Sequence, residues 1–286
     1  MSIVLNEVSK CYKDTIALNN INLEIPQGIF GILGPNGAGK TTLMKILVCL
    51  LKNDTGEIIV NDVNINDHEK IREMVSYLPQ EFSFYPTMTV IEAMDYMALL
   101  AGCSSYKDRK NQINGLLKKL NLKRYSNKKF KELSGGTKRR LGIAISLLKN
   151  PEILIIDEPT IGLDPEERVN FRNLLMEFAV DRTVILSTHI VEDIEQTCKK
   201  LAIFDEGKIV FYGEKEELIK EAVGKVKLID VKVEEFLEAK LKYNVLSIKE
   251  KENGYRFKII SDDDIGININ PNLEDSYLVR IKSKNV

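Results

Sequence analysis

The chain has 286 residues, 44% of them hydrophobic and 29% charged, a composition that excludes a disordered chain. A formal net charge of −1 excludes a polyanion binder on overall electrostatics. At about 150 residues per domain, the length allows one large domain or two smaller ones, with enough buried apolar surface to fold without disulfides. The four cysteines, Cys11, Cys49, Cys103 and Cys198, are far apart and form no CxxC pair. They read as reduced thiols of a cytosolic protein, with Cys11 exposed and the others in or near cores. With only His68 and His189 beside them, nothing supports a zinc site. Residues 1–10 alternate polar and apolar and contain no signal-peptide core. The longest apolar runs, 46–51 and 153–156, fall far short of the roughly 20 residues of a spanning helix. Any work at a membrane therefore needs another chain to supply the membrane span.

In chain order, residues 3–8 and 16–25 alternate as strands, and Pro26-Gln27-Gly28 marks a turn. A short apolar strand, 29–33, runs into the glycine-rich stretch 34–41. A helix follows at once, with Leu43, Met44, Ile46, Leu47 and Leu50 at helical spacing. Residues 56–60 and 75–78 are further strands. Thr89 caps a helix over 90–100, and a second helix covers about 108–120. Between residues 107 and 131 there are ten Lys or Arg against one acid, Asp108, a local charge of 10 − 1 = +9. This is either a solvated helical face or a surface for acidic lipid headgroups or an acidic partner loop. Ser134 caps a third helix to about residue 149. A strand at 153–156, a helix at 165–180, a strand at 183–186, a helix at 191–198 and a hairpin at 201–212 turning at Gly207 complete the first domain. A boundary falls within 213–224. Beyond it the pattern restarts as a small α/β appendix, with strands at 225–233, 244–249 and 255–260 and a helix at 234–242.

The chemistry begins at the glycine loop. Gly34, Gly37 and Gly39 permit backbone torsions that turn successive N–H groups inward around phosphate oxygens. The helix that starts near Lys40 adds its positive dipole end. In this GxxxxGK[ST] pattern, Lys40 reaches the β- and γ-phosphates and Thr41 offers a hydroxyl to Mg²⁺. The strand 153–156 ends in Asp157 and Glu158. Asp157 is placed to hold Mg²⁺ and Glu158 to polarise an attacking water, although an Asp at a strand end also caps turns. His189 follows another strand and is either a γ-phosphate contact or a structural histidine. Gln80, in Leu78-Pro79-Gln80, is either a ligand for Mg²⁺ and the attacking water or part of an ordinary loop. Ser134, Gly135 and Gly136 form a second exposed helix start, hence a second anion site. One chain already carries a complete phosphate loop, so a second phosphate-reading helix start suggests that two chains share a nucleotide. A plain helix cap is the alternative.

These motifs, in this order, resemble the nucleotide-binding subunits of ATP-binding-cassette (ABC) transporters, and the resemblance covers about residues 2–222. Gly34, Pro35, Asn36, Gly37, Ala38, Gly39, Lys40, Thr41 and Thr42 look like the Walker A loop, and Gln80 like the Q-loop glutamine. Residues 133–137 resemble the LSGGQ signature, with Thr137 in place of its glutamine. Residues 153–158 resemble the Walker B strand with its catalytic glutamate. Gly162-Leu163-Asp164 looks like the D-loop and His189 like the switch histidine. Tyr12 sits where the family stacks an aromatic on adenine.

The resemblance implies a fold class of α/β type: a P-loop NTPase core with an antiparallel β-subdomain and a helical subdomain at about 85–150. The domains expected are 1–222 for the ATPase and 223–286 for the appendix. It implies ATP and Mg²⁺ as cofactors and a head-to-tail dimer with a second nucleotide-binding domain, identical or not. In that dimer Ser134–Gly136 of one copy close over ATP on the other, with Asp164 at the same interface. It further implies a permease on separate chains, no nucleic acid, and a place on the cytoplasmic face of the membrane. The appendix is similar to that of ATPase subunits paired with ABC-2-type exporter permeases, which points to export. An ABC ATPase acting on nucleic acid or ribosomes is the rival reading. It fits less well, because the chain has one cassette and no heptad stretch. An ordinary P-loop kinase or GTPase would leave 133–137 and 162–164 unexplained.

Overall fold

The computed structural model describes residues 2–158, 160 and 162–282. Apolar residues at every second position make half-buried strands at the start of the chain. β1 (Ser2–Tyr12) and β2 (Thr15–Pro26) form a hairpin whose register sets Ile3 opposite Ile25, Leu5 opposite Leu23 and Val8 opposite Ile21. These six side chains are buried. The chain then passes through β3 (Gly28–Leu33) and α1 (Lys40–Leu47) before β4 (Thr55–Val60) returns to pair with β1. With β5 (Val63–Asn64) this makes a four-stranded antiparallel sheet in the order β2-β1-β4-β5.

The next elements are α2 (His68–Met74), β6 (Val75–Leu78), α3 (Val90–Leu100), α4 (Tyr106–Lys119), α5 (Gly135–Ser146), β7 (Ile153–Asp157), α6 (Pro165–Phe178), β8 (Thr183–Thr188), α7 (Val191–Thr197), β9 (Lys200–Asp205) and β10 (Lys208–Glu214). The second sheet has the order β10-β9-β3-β8-β7-β6. Its strands β3, β8, β7 and β6 run parallel. Covered on both faces, β3, β7 and β8 carry continuous apolar runs rather than alternating ones, whereas β6 keeps Ser76 and Tyr77 half-buried between Val75 and Leu78. Phe30, Ile32 and Leu33, Ile153 to Ile156, and Val184 to Leu186 are all at most 1% exposed. Each such side chain contributes about 1.5–3 kcal/mol by leaving water. The registers pair Leu33 with Thr188, Asp157 with Ser187 and Ile156 with Leu78, so the carboxyl ends of four strands finish on one edge. In open parallel sheets that edge is where ligands bind.

The helices between β6 and β7 start where the sequence has caps. The Thr89 hydroxyl accepts the Glu92 N–H at 3.3 Å while the Glu92 carboxylate accepts the Thr89 N–H at 2.7 Å, a reciprocal capping box. Ser105 caps α4 and Ser134 caps α5. Of the ten cations in 107–131, Arg109 is turned inward onto Asp95 at 2.5 Å and Lys119 pairs with Glu177 at 2.8 Å. The other eight are exposed, as a solvated face requires.

By its internal contacts the chain divides into two compact units. One comprises the residues up to Cys198 together with Ile203–Ile209; the other comprises Lys199–Ala202 and the residues from Val210 onward. In the second unit, α8 (Lys215–Glu221) precedes β11 (Val226–Val231), α9 (Phe236–Lys242), β12 (Asn244–Lys251), β13 (Gly254–Ile260), β14 (Ile267–Asn268) and α10 (Leu273–Lys282). Its antiparallel sheet has the order β12-β13-β11-β14. Phe236 of α9 lies 4.6 Å from the Tyr255 ring and 5.6 Å from the Phe257 ring, over a core of Val231, Ala239, Phe257 and Ile259.

Two features depart from the periodicity. α1 ends at Leu47, Cys49 takes a left-handed φ of 56°, and Leu50 is 65% exposed, so Leu50 is not on the helix's buried face. The N–H groups of Leu50 and Leu51 both turn back to the Lys45 carbonyl. α2 and α8 each bury a single side chain, Ile71 and Leu218, which leaves no apolar period to read.

Candidate functional site

The loop after β3 is shaped by its own backbone. Gly37 and Gly39 have φ of 83° and 101°, a region L-residues resist. A Cβ on Gly39 would also run into the Ala17 carbonyl oxygen. Gly39→Ala is therefore expected to lower unfolding stability by at least about 2 kcal/mol, read as a reduced denaturation midpoint; an unchanged midpoint would mean the loop is not held in this form. Lys40 is 5% exposed, and its ammonium donates to the carbonyls of Gly34 at 2.7 Å and Pro35 at 2.9 Å. Burial pushes its pKa below the ordinary lysine value, and the Glu158 and Asp157 carboxylates oppose that shift. Gly34, Ala38 and Gly39 are buried, Pro35, Asn36 and Gly37 exposed, and Thr41 and Thr42 half-buried.

Thr41 and Asp157 come together: the Thr41 hydroxyl donates to Asp157 Oδ2 at 2.7 Å. Asp157 is 1% exposed, and among the described residues its other oxygen, Oδ1, has no hydrogen-bond partner, nor does the neighbouring buried Ser187 hydroxyl. An orphaned buried carboxylate oxygen is costly unless a cation takes it. A hydroxyl and a carboxylate are hard oxygen donors of the kind Mg²⁺ prefers, with other positions left to water and phosphate. Thr41 and Asp157 fit that ion.

Glu158 is 4% exposed and takes a left-handed φ of 50°. A non-glycine residue held there by its surroundings is backbone strain of the sort found at functional sites. Its N–H donates to the Ser187 carbonyl at 2.8 Å. Its carboxylate sits 2.8 Å from His189 Nδ1 and accepts from the Thr188 hydroxyl at 3.3 Å. Glu158 and His189 are thus brought together, with the His189 side chain 42% exposed at the edge.

Gln80 is placed differently. Its side chain is exposed, and among the described residues no side-chain hydrogen bond joins it to Thr41, Asp157 or Glu158. Its main chain is held by Arg139, a residue that sequence reasoning missed. This guanidinium is buried on α5 and donates to the carbonyls of Pro79, Gln80, Asp157 and Glu158. Burial lowers its pKa to about 10 despite the nearby Asp157 carboxylate. The signal was one of three consecutive cations, Lys138, Arg139 and Arg140, and nothing in the sequence tells which of them turns inward.

Ser134 and Gly135 are exposed and Gly136 is buried. The Ser134 hydroxyl accepts the Thr137 N–H at 3.2 Å and pairs with the Thr137 hydroxyl at 2.9 Å, so threonine at 137 buttresses the turn from inside. Among the described residues no hydrogen bond joins Ser134, Gly135 or Gly136 to the loop 34–42 of the same chain. Asp164 caps α6, accepting the Glu167 N–H at 2.8 Å. Tyr12 ends β1, 44% exposed, with Lys10 Nζ 5.9 Å from its ring centre.

A phosphate loop and an ion-ready carboxylate at the carboxyl edge of a parallel sheet define a P-loop nucleoside triphosphatase. The sequence profile of the ABC transporter family matches residues 18–161. An uncharacterized ABC transporter ATP-binding protein of Bacillus subtilis is 33% identical over 267 residues, covering 91% of this chain and 87% of that protein. Nod factor export ATP-binding protein I of Cupriavidus pinatubonensis is 34% identical over 223 residues, covering 77% of this chain and 68% of that protein. Among solved structures, an ATP-binding cassette in a dimeric post-hydrolysis state with ADP and Pi superposes with a TM-score of 0.67 at 29% identity, covering 74% of this chain and 98% of that one. The chain belongs to the ABC transporter family, among its ATP-binding subunits. Among the described residues no helix is long and apolar enough to cross a membrane.

Proposed function

We propose that this chain binds and hydrolyses Mg-ATP between two copies and uses the cycle to drive export through a separate membrane permease. The observation that carries the reading is the pairing of Glu158 with His189, 2.8 Å apart and next to the Thr41–Asp157 pair. Gly34 to Thr42 cradle the phosphates through backbone N–H groups, and Lys40 leaves its loop carbonyls for the β- and γ-phosphates. Thr41 and Asp157 would hold Mg²⁺, which would supply charge neutralisation on the phosphate oxygens. Glu158 accepts a proton from the attacking water, and His189 fixes the carboxylate and faces the γ-phosphate. Gln80, exposed just beyond β6, would be the amide that meets the ion or the attacking water. Ser134 and Gly135 lie exposed, and among the described residues no hydrogen bond ties Ser134, Gly135 or Gly136 to the loop of their own chain, which supports their use on the partner copy's nucleotide, with Asp164 beside it. The domains follow the same reading: residues 1–222 form the ATPase and 223–286 a separate appendix.

Export rests on the appendix and on a relative named for Nod factor export. Attachment to the cytoplasmic face of a membrane would come through the permease. The test is vanadate-sensitive ATPase activity of the purified chain with Mg²⁺, stimulated when it is reconstituted with a multi-helix permease. No hydrolysis would defeat the ATPase reading, and no stimulation by any such permease would defeat the transport reading.

Tyr12 is exposed at the end of β1, free to stack on a base. Tyr12→Ala should weaken ATP binding by about 1 kcal/mol, roughly fivefold, in a calorimetric titration. Equal affinity would make it a structural residue.

A further inference from the structure

Helix α5 begins at the Ser134 cap, and just over one turn later Arg139 is directed inward, 6% exposed. Its two terminal nitrogens divide their bonds between two strand ends. Nη1 donates to the Pro79 carbonyl at 2.5 Å and the Gln80 carbonyl at 3.0 Å. Nη2 donates to the Asp157 carbonyl at 2.5 Å and the Glu158 carbonyl at 2.9 Å. The β6–β7 ladder stops at Leu78 and Ile156. Arg139 therefore joins the two strands where their own hydrogen bonding has ended. Only a planar fork with several N–H groups can span both. The same helix is pressed onto that edge: Gly142 leaves no room for a Cβ against Leu78 and Phe82.

We propose that Arg139 is a positioning residue that transmits the state of the Ser134–Gly136 helix start to the Glu158 carboxylate within one subunit. The proposal rests on the ATPase reading above. Glu158 is fixed on its N–H side by the Ser187 carbonyl and on its C=O side by Arg139. Between those two anchors the residue holds its left-handed φ of 50° and aims its carboxylate at His189. A displacement of α5 moves the Glu158 and Gln80 peptides together, since one guanidinium grips both. Nucleotide from a partner copy at the exposed N-terminal end of α5 would thus be felt at the base and at the Q-loop in one rigid step.

The test compares Arg139→Gln and Arg139→Lys with the unaltered chain in steady-state ATPase and ATP-binding assays. Arg139→Gln should lower kcat about 10- to 100-fold, as expected for a misplaced reacting group, with KM and the ATP Kd changed by less than about threefold. Arg139→Lys, which keeps the charge but not the fork, should recover only part of the loss. In single turnovers, adding Arg139→Gln to Glu158→Gln should cost no more than about threefold further, the share left to its hold on Gln80, because the arginine acts chiefly through that carboxylate. A kcat within about twofold of the unaltered chain, or losses that multiply in the double variant, overturns the proposal. Loss of the folded state in both Arg139 variants also overturns it, making Arg139 a structural clamp. If the unaltered chain itself fails to hydrolyse ATP, the ATPase reading falls first; a failure confined to the Arg139 variants leaves that reading intact.

Discussion

Replacing Glu158 by glutamine will reduce ATP turnover at least about 100-fold while leaving ATP affinity within about twofold. The magnitude is that of a general base removed from its reacting water. Glutamine has the same shape and can keep a hydrogen bond to Thr188 and to His189, which now reach the two carboxylate oxygens at 3.3 and 2.8 Å. It cannot accept the proton. The phosphate loop and the Thr41–Asp157 pair do not depend on Glu158 for any direct hydrogen bond, so binding is spared. The comparison is of kcat by phosphate release and Kd by calorimetry on the same preparations. Turnover above about a third of normal would place the base elsewhere.

Lys40→Ala carries the second large effect, this time on binding. Lys40 donates to two loop carbonyls, from Gly34 and Pro35. With phosphate present, charge-assisted bonds to its oxygens replace them, and such bonds are about twice as strong as neutral ones. Their loss should raise the ATP Kd about 100-fold, which corresponds to about 2.7 kcal/mol. Removing the ammonium also leaves the loop carbonyls without their donor, so the loop loses shape as well as charge. A fluorescent-nucleotide titration, with circular dichroism to show that the fold survives, measures the change. Undiminished affinity would take the loop out of the mechanism.

Much of the core was legible because it obeys simple periods. The apolar runs before Gly34, Asp157 and His189 became parallel strands, and the common end of those strands follows from their register. The capping residues Thr89, Ser105 and Ser134 start helices in the structure, and two of these starts were read from the sequence. What stayed hidden was of two kinds. Short helices with one buried residue, such as His68–Met74, carry no repeating apolar signal. The inward turn of Arg139 is a tertiary fact, decided by where four carbonyls are left beyond a strand ladder, and charge patterning along 138–140 cannot report it. Leu50 shows the opposite error: its spacing fits the helix, but the chain leaves the helical path at Cys49.

A site completed by a second copy makes one demand that a self-contained site does not: ATP must hold two chains together. Sedimentation velocity of the Glu158→Gln variant measures this directly, because ATP is bound and not consumed. The account predicts a monomer without nucleotide, a dimer with Mg-ATP, and a monomer again when Ser134→Arg is added to the same chain. A variant that binds ATP yet stays monomeric, or a dimer indifferent to Ser134→Arg, would contradict it.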